Sequence, residues 1–197
     1  MVEYDRDKLT ERECARIIKS AVSPRPIAWI STQSEDGVDN LAPYSSYNYI
    51  SSKQPTVLFN SPNDANGGLK YTARNAIETE EFAVNVVTEG LLERMDHTSA
   101  SNPPEESEFD LAGLERAECR EIAAPRVAEA AITMECTLYD SIEIYDRLTV
   151  IGEVQHFSVS ENVLTEGKVD QRELPTVGRL GGPYYTVSDL SPFERQF

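Results

Sequence analysis

One stretch near the N-terminus, residues 23–48, constrains the fold and the chemistry of this chain more than any other. Residues 26–33 are predicted to form a strand, an Asp36-Gly37 turn follows, and residues 40–48 form an extended segment rich in hydroxyl and amide side chains. A buried hydroxyl or amide costs free energy unless it has a hydrogen-bond partner. The simplest interpretation is that a polar ligand faces the run Ser45, Ser46, Tyr47 and Asn48.

Arg25 stands between two prolines, Pro24 and Pro26, directly before the predicted strand. Proline fixes its own backbone and restricts the residue before it, so this segment is predicted to be extended and stiff. A guanidinium held there is a planar fork of donors that suits a phosphate or a carboxylate. Two interpretations stay open: Arg25 contacts the ligand, or it pairs with one of the chain's many carboxylates. For Trp29, in the same strand, a place in the core and a stacking role are both open.

A second candidate site lies around residues 67–75, where Lys70 and Arg74 are four residues apart near a predicted helix start. The free backbone amides of a helix N-terminus attract anions, and the ammonium of Lys70 and the hydroxyl of Thr72 would add to that attraction. The alternative is that Thr72 caps the helix and both cations lie on a solvated face. Lysine is scarce in this chain, which gives a basic pair at a helix start more weight.

The composition bounds the class of protein. A chain of 197 residues, 40% of them hydrophobic, is predicted to be one domain over 1–197. No apolar run is long enough to span a bilayer, and the acidic N-terminus does not resemble a signal peptide. Three cysteines without metal-ligand spacing are typical of a reducing compartment, so a cytoplasmic protein is expected.

The net charge of −16 bears on partners and on habitat. Nucleic acid is not expected as a partner, because neutralising phosphates needs a basic face. The acidity itself is either that of an ordinary cytosolic protein or an adaptation to high salt, where screening removes charge repulsion. The scarcity of lysine and the spread of acidic residues through nearly every loop favour the halophilic interpretation.

The predicted elements favour a mainly β fold. An N-terminal helical segment, residues 1–22, contains a capping box at 10–13 followed by apolar residues at helical spacing. Strands are predicted at 26–33, 55–60, 82–87, 132–138 and 148–159, the last with a bulge or bend at Gly152. Short helices are predicted at 69–79 and before His97, and the tail from residue 177 is predicted to be irregular. Many strands with few helices predict an antiparallel barrel or sandwich.

Several chemistries lack support in the sequence. His97 and His156 are not tied by any motif to a serine or cysteine nucleophile. Two histidines and three scattered cysteines offer no pair of metal ligands at working spacing. A glycine-rich dinucleotide fingerprint after a strand is also absent. No catalytic acid, base or nucleophile and no metal ligand is therefore assigned.

Six sequence blocks, taken in order, resemble the flavin reductase-like family of FMN-binding split-barrel proteins, including its flavoredoxin-type members. The blocks are residues 24–29, 40–48, 70–75, 81–85, 134–136 and 179–182. The resemblance extends over roughly residues 15–187. Each block is weak alone, and their order and spacing together make the resemblance specific.

This resemblance implies a six-stranded antiparallel split β-barrel of Greek-key type, with a few short peripheral helices. It further implies a homodimer that holds FMN near the subunit interface, with residues 42–48 beside the ring and ribityl chain and residues 60–61 and 70–72 at the phosphate. The tail, residues 177–197, is implied to lie near the flavin. The implied cofactor-binding residues are Arg25, Pro26, Trp29, Ala42, Pro43, Tyr44, Ser45, Ser46, Asn48, Asn60, Ser61, Lys70, Tyr71, Thr72 and Tyr185. Tyr71 departs from the family pattern, which often has an acidic residue there.

Three functions follow as hypotheses. The first is an FMN-dependent oxidoreductase of flavin reductase type that uses NAD(P)H, in which the flavin carries the redox chemistry and the protein binds and orients it. The second is an FMN-containing electron carrier that passes electrons between partner proteins without NAD(P)H activity of its own. The third is a binding or structural barrel that has lost the cofactor.

Overall fold

A seven-stranded antiparallel sheet organises the residues that the computed structural model describes, which are 1–100, 102–103 and 105–191. The strands in chain order are β1 Arg25–Pro26, β2 Ala28–Gln33, β3 Asp39–Tyr44, β4 Tyr47–Ser51, β5 Thr56–Pro62, β6 Glu81–Val86, β7 Arg116–Ala117, β8 Arg126–Val127, β9 Ile132–Ile144, β10 Arg147–Val159, β11 Leu164–Thr165, β12 Lys168–Val169, β13 Val177–Arg179 and β14 Tyr185–Val187. The helices are α1 Glu11–Ala21, α2 Tyr71–Glu78, α3 Leu92–His97 and α4 Glu108–Leu111, and single 3-10 turns lie at Arg6–Lys8, Glu89–Leu91 and Glu161–Val163.

The main sheet is a barrel that stays split along one line. Its strand order is β3-β2-β6-β9-β10-β5-β4, so the consecutive strands β3 and β4 lie at opposite edges. Ser45 and Ser46 alone join these strands in the chain, and such a short connection spans at most about 11 Å, so the edges must lie side by side. Tyr44 on β3 and Phe59 on β5 meet across the split with ring centroids 5.0 Å apart. The split-barrel prediction is confirmed, with seven strands where six were expected.

Two apolar cores lie on opposite faces of β2. Ala28 and Ile30 join the core inside the barrel, to which Phe82 also belongs. Trp29 points the other way, into a second core that includes Phe109. Successive side chains of a strand alternate between faces, and β2 is therefore buried on both sides from Ala28 to Thr32. Helix α2 packs on the first core through its small residues.

Helix α1 begins with the predicted capping box. The Thr10 hydroxyl accepts from the Glu13 N–H at 3.3 Å, and the Glu13 carboxylate accepts from the Thr10 N–H at 2.9 Å. The predicted apolar face forms, but it is not covered, because α1 has no buried residue and Ile17 and Ile18 are 45% and 62% exposed. None of the helices in the described residues is long and apolar enough to cross a membrane.

Gly152 marks the bulge predicted in the long strand β10. The pairing of β10 with β9 shifts register between Ile151 and Gly152. A Cβ atom at Gly152 would lie 2.7 Å from the Phe82 ring at Cε1, closer than real contacts allow. Glycine is therefore required here by the close approach of the barrel core, and not by an unusual backbone angle.

The tail from residue 177 is more regular than predicted. Strands β13 and β14 pair with each other, and β13 pairs with β1, so that Arg25 lies opposite Arg179. This small sheet ties the tail to the segment that precedes the barrel. The prediction of an irregular tail is wrong for residues 177–179 and 185–187, and residues 192–197 of the predicted tail lie outside the described residues.

Candidate functional site

The main cleft, which we call the first compartment, lies where the chain crosses the split between β3 and β4. It has a volume of about 550 Å³ and lies between the β3–β4 connection, the end of β5, the start of α2 and the segment after α3. It brings together the predicted residues of segments 42–46 and 70–72 with Asn60. Its lining residues are Lys19, Asn40, Ala42, Pro43, Tyr44, Ser45, Ser46, Asn60, Pro62, Asp64, Leu69, Lys70, Tyr71, Thr72, Arg74, Thr98, Ser99, Ala100, Asn102, Glu108 and Arg147.

The N-terminus of α2 forms one wall of this compartment. Lys70 is the N-cap residue, and no side chain in the described part of the chain caps the helix. The Thr72 hydroxyl instead donates to Asn40 Oδ1 at 2.6 Å, so the alternative in which Thr72 caps the helix is wrong. The backbone N–H groups of the first turn lack an intrahelical acceptor. Together with the helix dipole, they make this wall suitable for an anion.

Positive charge predominates in the first compartment. Its charged lining residues are the cations Lys19, Lys70, Arg74 and Arg147 and the carboxylates Asp64 and Glu108. Among the described residues, neither lysine forms an ion pair. Glu108 Oε2 accepts from Asn40 Nδ2 at 2.8 Å and from the Leu41 N–H at 2.9 Å. In a chain of net charge −16, this is a local reversal of the field.

Asp64 shapes the turn that leads into α2. Its Oδ1 accepts from the backbone N–H groups of Asn66 and Gly68 at 2.8 and 2.9 Å. The bonds from Gly68 and Asn66 hold the pKa of Asp64 below its usual value. The carboxylate is therefore ionised at neutral pH, and it fixes the turn immediately before Lys70.

Polar contacts hold the β3–β4 connection against β5. The backbone N–H of Asn60 and its Nδ2 donate to the Ser46 carbonyl at 2.9 and 3.3 Å, and Thr149 Oγ1 donates to Asn60 Oδ1 at 2.5 Å. Burial raises the pKa of Tyr44, so its hydroxyl stays protonated at neutral pH. Within the described residues, the hydroxyls of Ser45 and Ser46 form no hydrogen bond, which leaves them available to a ligand.

A second compartment of about 410 Å³ adjoins the first and shares part of its lining. The shared residues are Lys19, Pro43, Ser45 and Ser99. The second compartment is further lined by Arg25, Ile27, Met95, Asp96, Arg179, Leu180, Gly182 and Tyr185. Tyr185, the predicted tail residue, therefore lies in the second compartment and not in the first.

Arg25 ties three segments of backbone together. Its Nη1 donates to the carbonyls of Lys19, at 2.5 Å, and Val22, at 2.8 Å, and its Nη2 donates to the Leu180 carbonyl at 3.0 Å. Burial and the nearby Arg179 lower the pKa of Arg25. The interpretation in which Arg25 pairs with a carboxylate is therefore wrong. Most of the guanidinium N–H groups donate to backbone carbonyls of the protein itself.

Four other predicted residues lie outside both compartments: Pro26, Trp29, Asn48 and Ser61. Trp29 is fully buried, and its indole N–H donates to Thr98 Oγ1 at 2.8 Å, so it supports the lining from behind and cannot stack on a ligand. Ser61 is also buried, at 1% exposure. Asn48 is exposed on β4, where its Oδ1 accepts from the next backbone N–H at 2.9 Å. Pro26 lines a separate groove beside β1.

Sequence reasoning missed Lys19 and Arg147. Lys19 lies near the end of α1, and the scarcity of lysine is the one signal that could have singled it out. Arg147 begins β10 and pairs with Pro62 across the sheet. That strand register is a long-range property, so no local sequence signal predicts it.

Comparison with known proteins gives a consistent family. The model of the flavin reductase like domain matches residues 20–177. The crystal structure of nitrilotriacetate monooxygenase component B from Bacillus cereus is 33% identical, covers 99% of this chain and 98% of that one, and superposes with a TM-score of 0.93. The 2-nitrobenzoate 2-nitroreductase NbaA of Pseudomonas fluorescens is 29% identical, with coverage of 100% and 98% and a TM-score of 0.88.

A third structure, from Shewanella frigidimarina, bears on the fold alone. It is described as having a split barrel domain and is 24% identical, with coverage of 99% of this chain and 100% of that one. Its TM-score of 0.84 agrees with the split between β3 and β4.

Proposed function

Because this chain belongs to the flavin reductase like domain family, we propose that it is an oxidoreductase that binds FMN and passes hydride to it from NAD(P)H. The observation that carries the proposal is the first compartment, a cationic cleft at the start of α2 in a strongly acidic protein. The relatives support the class of reaction, since one is a component of a monooxygenase and another is a nitroreductase.

The donors of the first compartment fit a flavin mononucleotide. The ammonium of Lys70 and the first-turn N–H groups of α2 suit one terminal phosphate. The free hydroxyls of Ser45 and Ser46 suit the polar ribityl chain and the ring edge. A cleft of about 550 Å³ lies within the range of small-molecule sites. Flavin, when bound, supplies the hydride-accepting chemistry.

The chain itself has to bind the flavin, orient its ring and leave the ring accessible to the nicotinamide. Lys70 would hold the phosphate by charge, and the β3–β4 connection, fixed to β5 through Asn60, would set the position of the ring. Hydride transfer between stacked rings needs no protein acid or base. The lack of a histidine–nucleophile pair in the sequence is therefore compatible with this chemistry.

Anaerobic spectroscopy of the purified full-length chain tests the proposal. We expect a flavin spectrum or saturable uptake of added FMN in preference to FAD, followed by bleaching when NADH or NADPH is added. A protein that takes up no flavin would reject the proposal. Bound flavin that stays oxidised with reduced nicotinamides but is bleached by reduced ferredoxin would favour the alternative, an electron carrier.

We also propose that two copies associate through the outer half of β9. Strand β9 pairs with β6 only as far as Thr137, whereas its pairing with β10 continues to Ile144. Along this free edge, Tyr139, Ile142 and Ile144 are 70%, 47% and 50% exposed. An exposed apolar edge strand favours association with another chain. Light scattering would reveal a dimer, and Ile142→Lys should shift it towards monomer, whereas a parent protein that is monomeric would reject this proposal.

A further inference from the structure

The second compartment has the composition of an anion site beside the first one. Among the described residues, Lys19, Arg25 and Arg179 line it, against one carboxylate, that of Asp96. Its floor is apolar, formed by Ile27 and Met95, which are 7% and 1% exposed. Pro43 and Ser45 lie where the two compartments adjoin, since they line both. A ligand in one compartment therefore lies next to a ligand in the other.

Contacts with uncharged groups position the Arg179 side chain. Its Nη2 donates to the Gly182 carbonyl at 2.8 Å, and its guanidinium lies 4.3 Å from the centroid of the Tyr185 ring. The Tyr185 hydroxyl donates to Asp96 Oδ1 at 3.1 Å, so this carboxylate already has a hydrogen-bond partner. Among the described residues, Arg179 and Lys19 form no ion pair. Arg179 is thus a pre-positioned donor that lacks an anion.

We propose that the second compartment binds the phosphates of the reduced nicotinamide dinucleotide, with Arg179 and Lys19 as their ligands; this rests on the proposed function. A dinucleotide carries several negative charges, and the overall field of the chain repels it, so local cations are needed for capture. Lys19 lines both compartments, so its ammonium is available to a ligand in either one.

The position of the compartment suits the reaction. A dinucleotide anchored there can extend its nicotinamide past Pro43 and Ser45 into the first compartment. With both groups bound, the C4–H bond of the dihydronicotinamide would break and its hydride would carry two electrons to the flavin, which would be reduced as the dinucleotide became the oxidised pyridinium. Arg179 and Lys19 take no part in that bond change and act on binding alone.

A hydride donor that carries no phosphate distinguishes phosphate binding by Arg179 from a general structural role of this residue. Arg179→Gln should raise the KM for NADH and NADPH about tenfold, the scale of a lost charge-assisted hydrogen bond. The KM for dihydronicotinamide riboside, which has no phosphate, should not change, nor should FMN affinity. Arg172→Gln is the matched control, because Arg172 is exposed and pairs with Asp170 outside both compartments. Equal KM values for NADH and NADPH in the Arg179 variant and the parent, or an equal rise with the riboside, would overturn the proposal.

A second variant keeps the proposal testable if Arg179→Gln does not fold. Lys19→Gln on α1 should raise the same KM, with Arg12→Gln on the same helix as its control. If the chain takes up FMN but no reduced nicotinamide bleaches it, calorimetric titration of the FMN-loaded protein with NADP⁺ decides instead. Binding that Arg179→Gln weakens supports the site, and no binding to the parent overturns it. Failure to take up FMN would reject the proposed function itself.

Discussion

Lys70 in the first compartment and Arg25 in the second have different roles. Lys70 lies at the start of α2, which packs against the core of the barrel, and no described carboxylate pairs with it. Arg25 donates three hydrogen bonds to backbone carbonyls at the end of α1 and in the tail. A cation that holds the backbone and a cation kept free for a ligand thus stand close together. The sequence alone does not distinguish these two roles, because each residue is a basic residue in a restrained segment.

Removal of Arg25 should have the largest effect, and it should fall on stability. Arg25→Ala removes three hydrogen bonds that join the end of α1 to the residue after β13, and we expect a loss of about 2 kcal/mol in the free energy of unfolding. For a chain of this size, that lowers the melting temperature by roughly 4–8 °C. Thermal unfolding followed by circular dichroism measures the change.

Arg12→Ala is the control for this variant, since Arg12 is an exposed residue on the same helix. Its effect should stay within about 0.5 kcal/mol. The contrary outcome is an Arg25→Ala protein that keeps the melting temperature of the parent and binds FMN or NAD(P)H much more weakly. That result would show that Arg25 binds the ligand, and it would contradict the difference between Arg25 and Lys70.

Lys70 should show the opposite behaviour. Lys70→Gln removes the cation at the start of α2, and we expect FMN affinity to fall about tenfold, or about 1.4 kcal/mol, with little change in the stability of the apo-protein. Lys53→Gln changes an exposed lysine that lines neither compartment and should leave both properties unchanged. Fluorescence titration with FMN measures the affinity, and equal affinities of Lys70→Gln and parent would count against the phosphate site.

Local signals account for what could be predicted. The capping box of α1, the strand β2 and the bulge at Gly152 each follow from short-range patterns. Strand β13 was missed because its partner β1 is distant in sequence, and β14 pairs with β13 alone. The site shows the same limit: segments 42–46 and 70–72 carried their own polar signals, whereas Arg147 reaches the cleft only through strand register.

Salt should act oppositely on the surface and on the first compartment. The chain has 34 acidic and 18 basic residues, so screening should relieve self-repulsion and raise the melting temperature. The same screening should weaken the attraction between Lys70 and a phosphate, so the Kd for FMN should rise. Melting curves and FMN titrations in dilute and molar potassium chloride measure both changes. A melting temperature indifferent to salt would reject the halophilic interpretation.

The smallest effect is expected for Tyr185→Phe, a variant that distinguishes the role of the ring from that of the hydroxyl. Burial raises the pKa of Tyr185, so the hydroxyl remains a donor to Asp96 at any pH below its ordinary value near 10. Tyr185→Phe deletes one hydrogen bond to an exposed carboxylate, which should lower the free energy of unfolding by about 0.5 kcal/mol. The ring that faces Arg179 is kept, so the KM for NAD(P)H should stay within about twofold of the parent value. A change as large as that expected for Arg179→Gln would mean that Asp96, once released, competes with the dinucleotide for Arg179. In that case the Tyr185–Asp96 bond, and not the stacked ring, keeps the cation free.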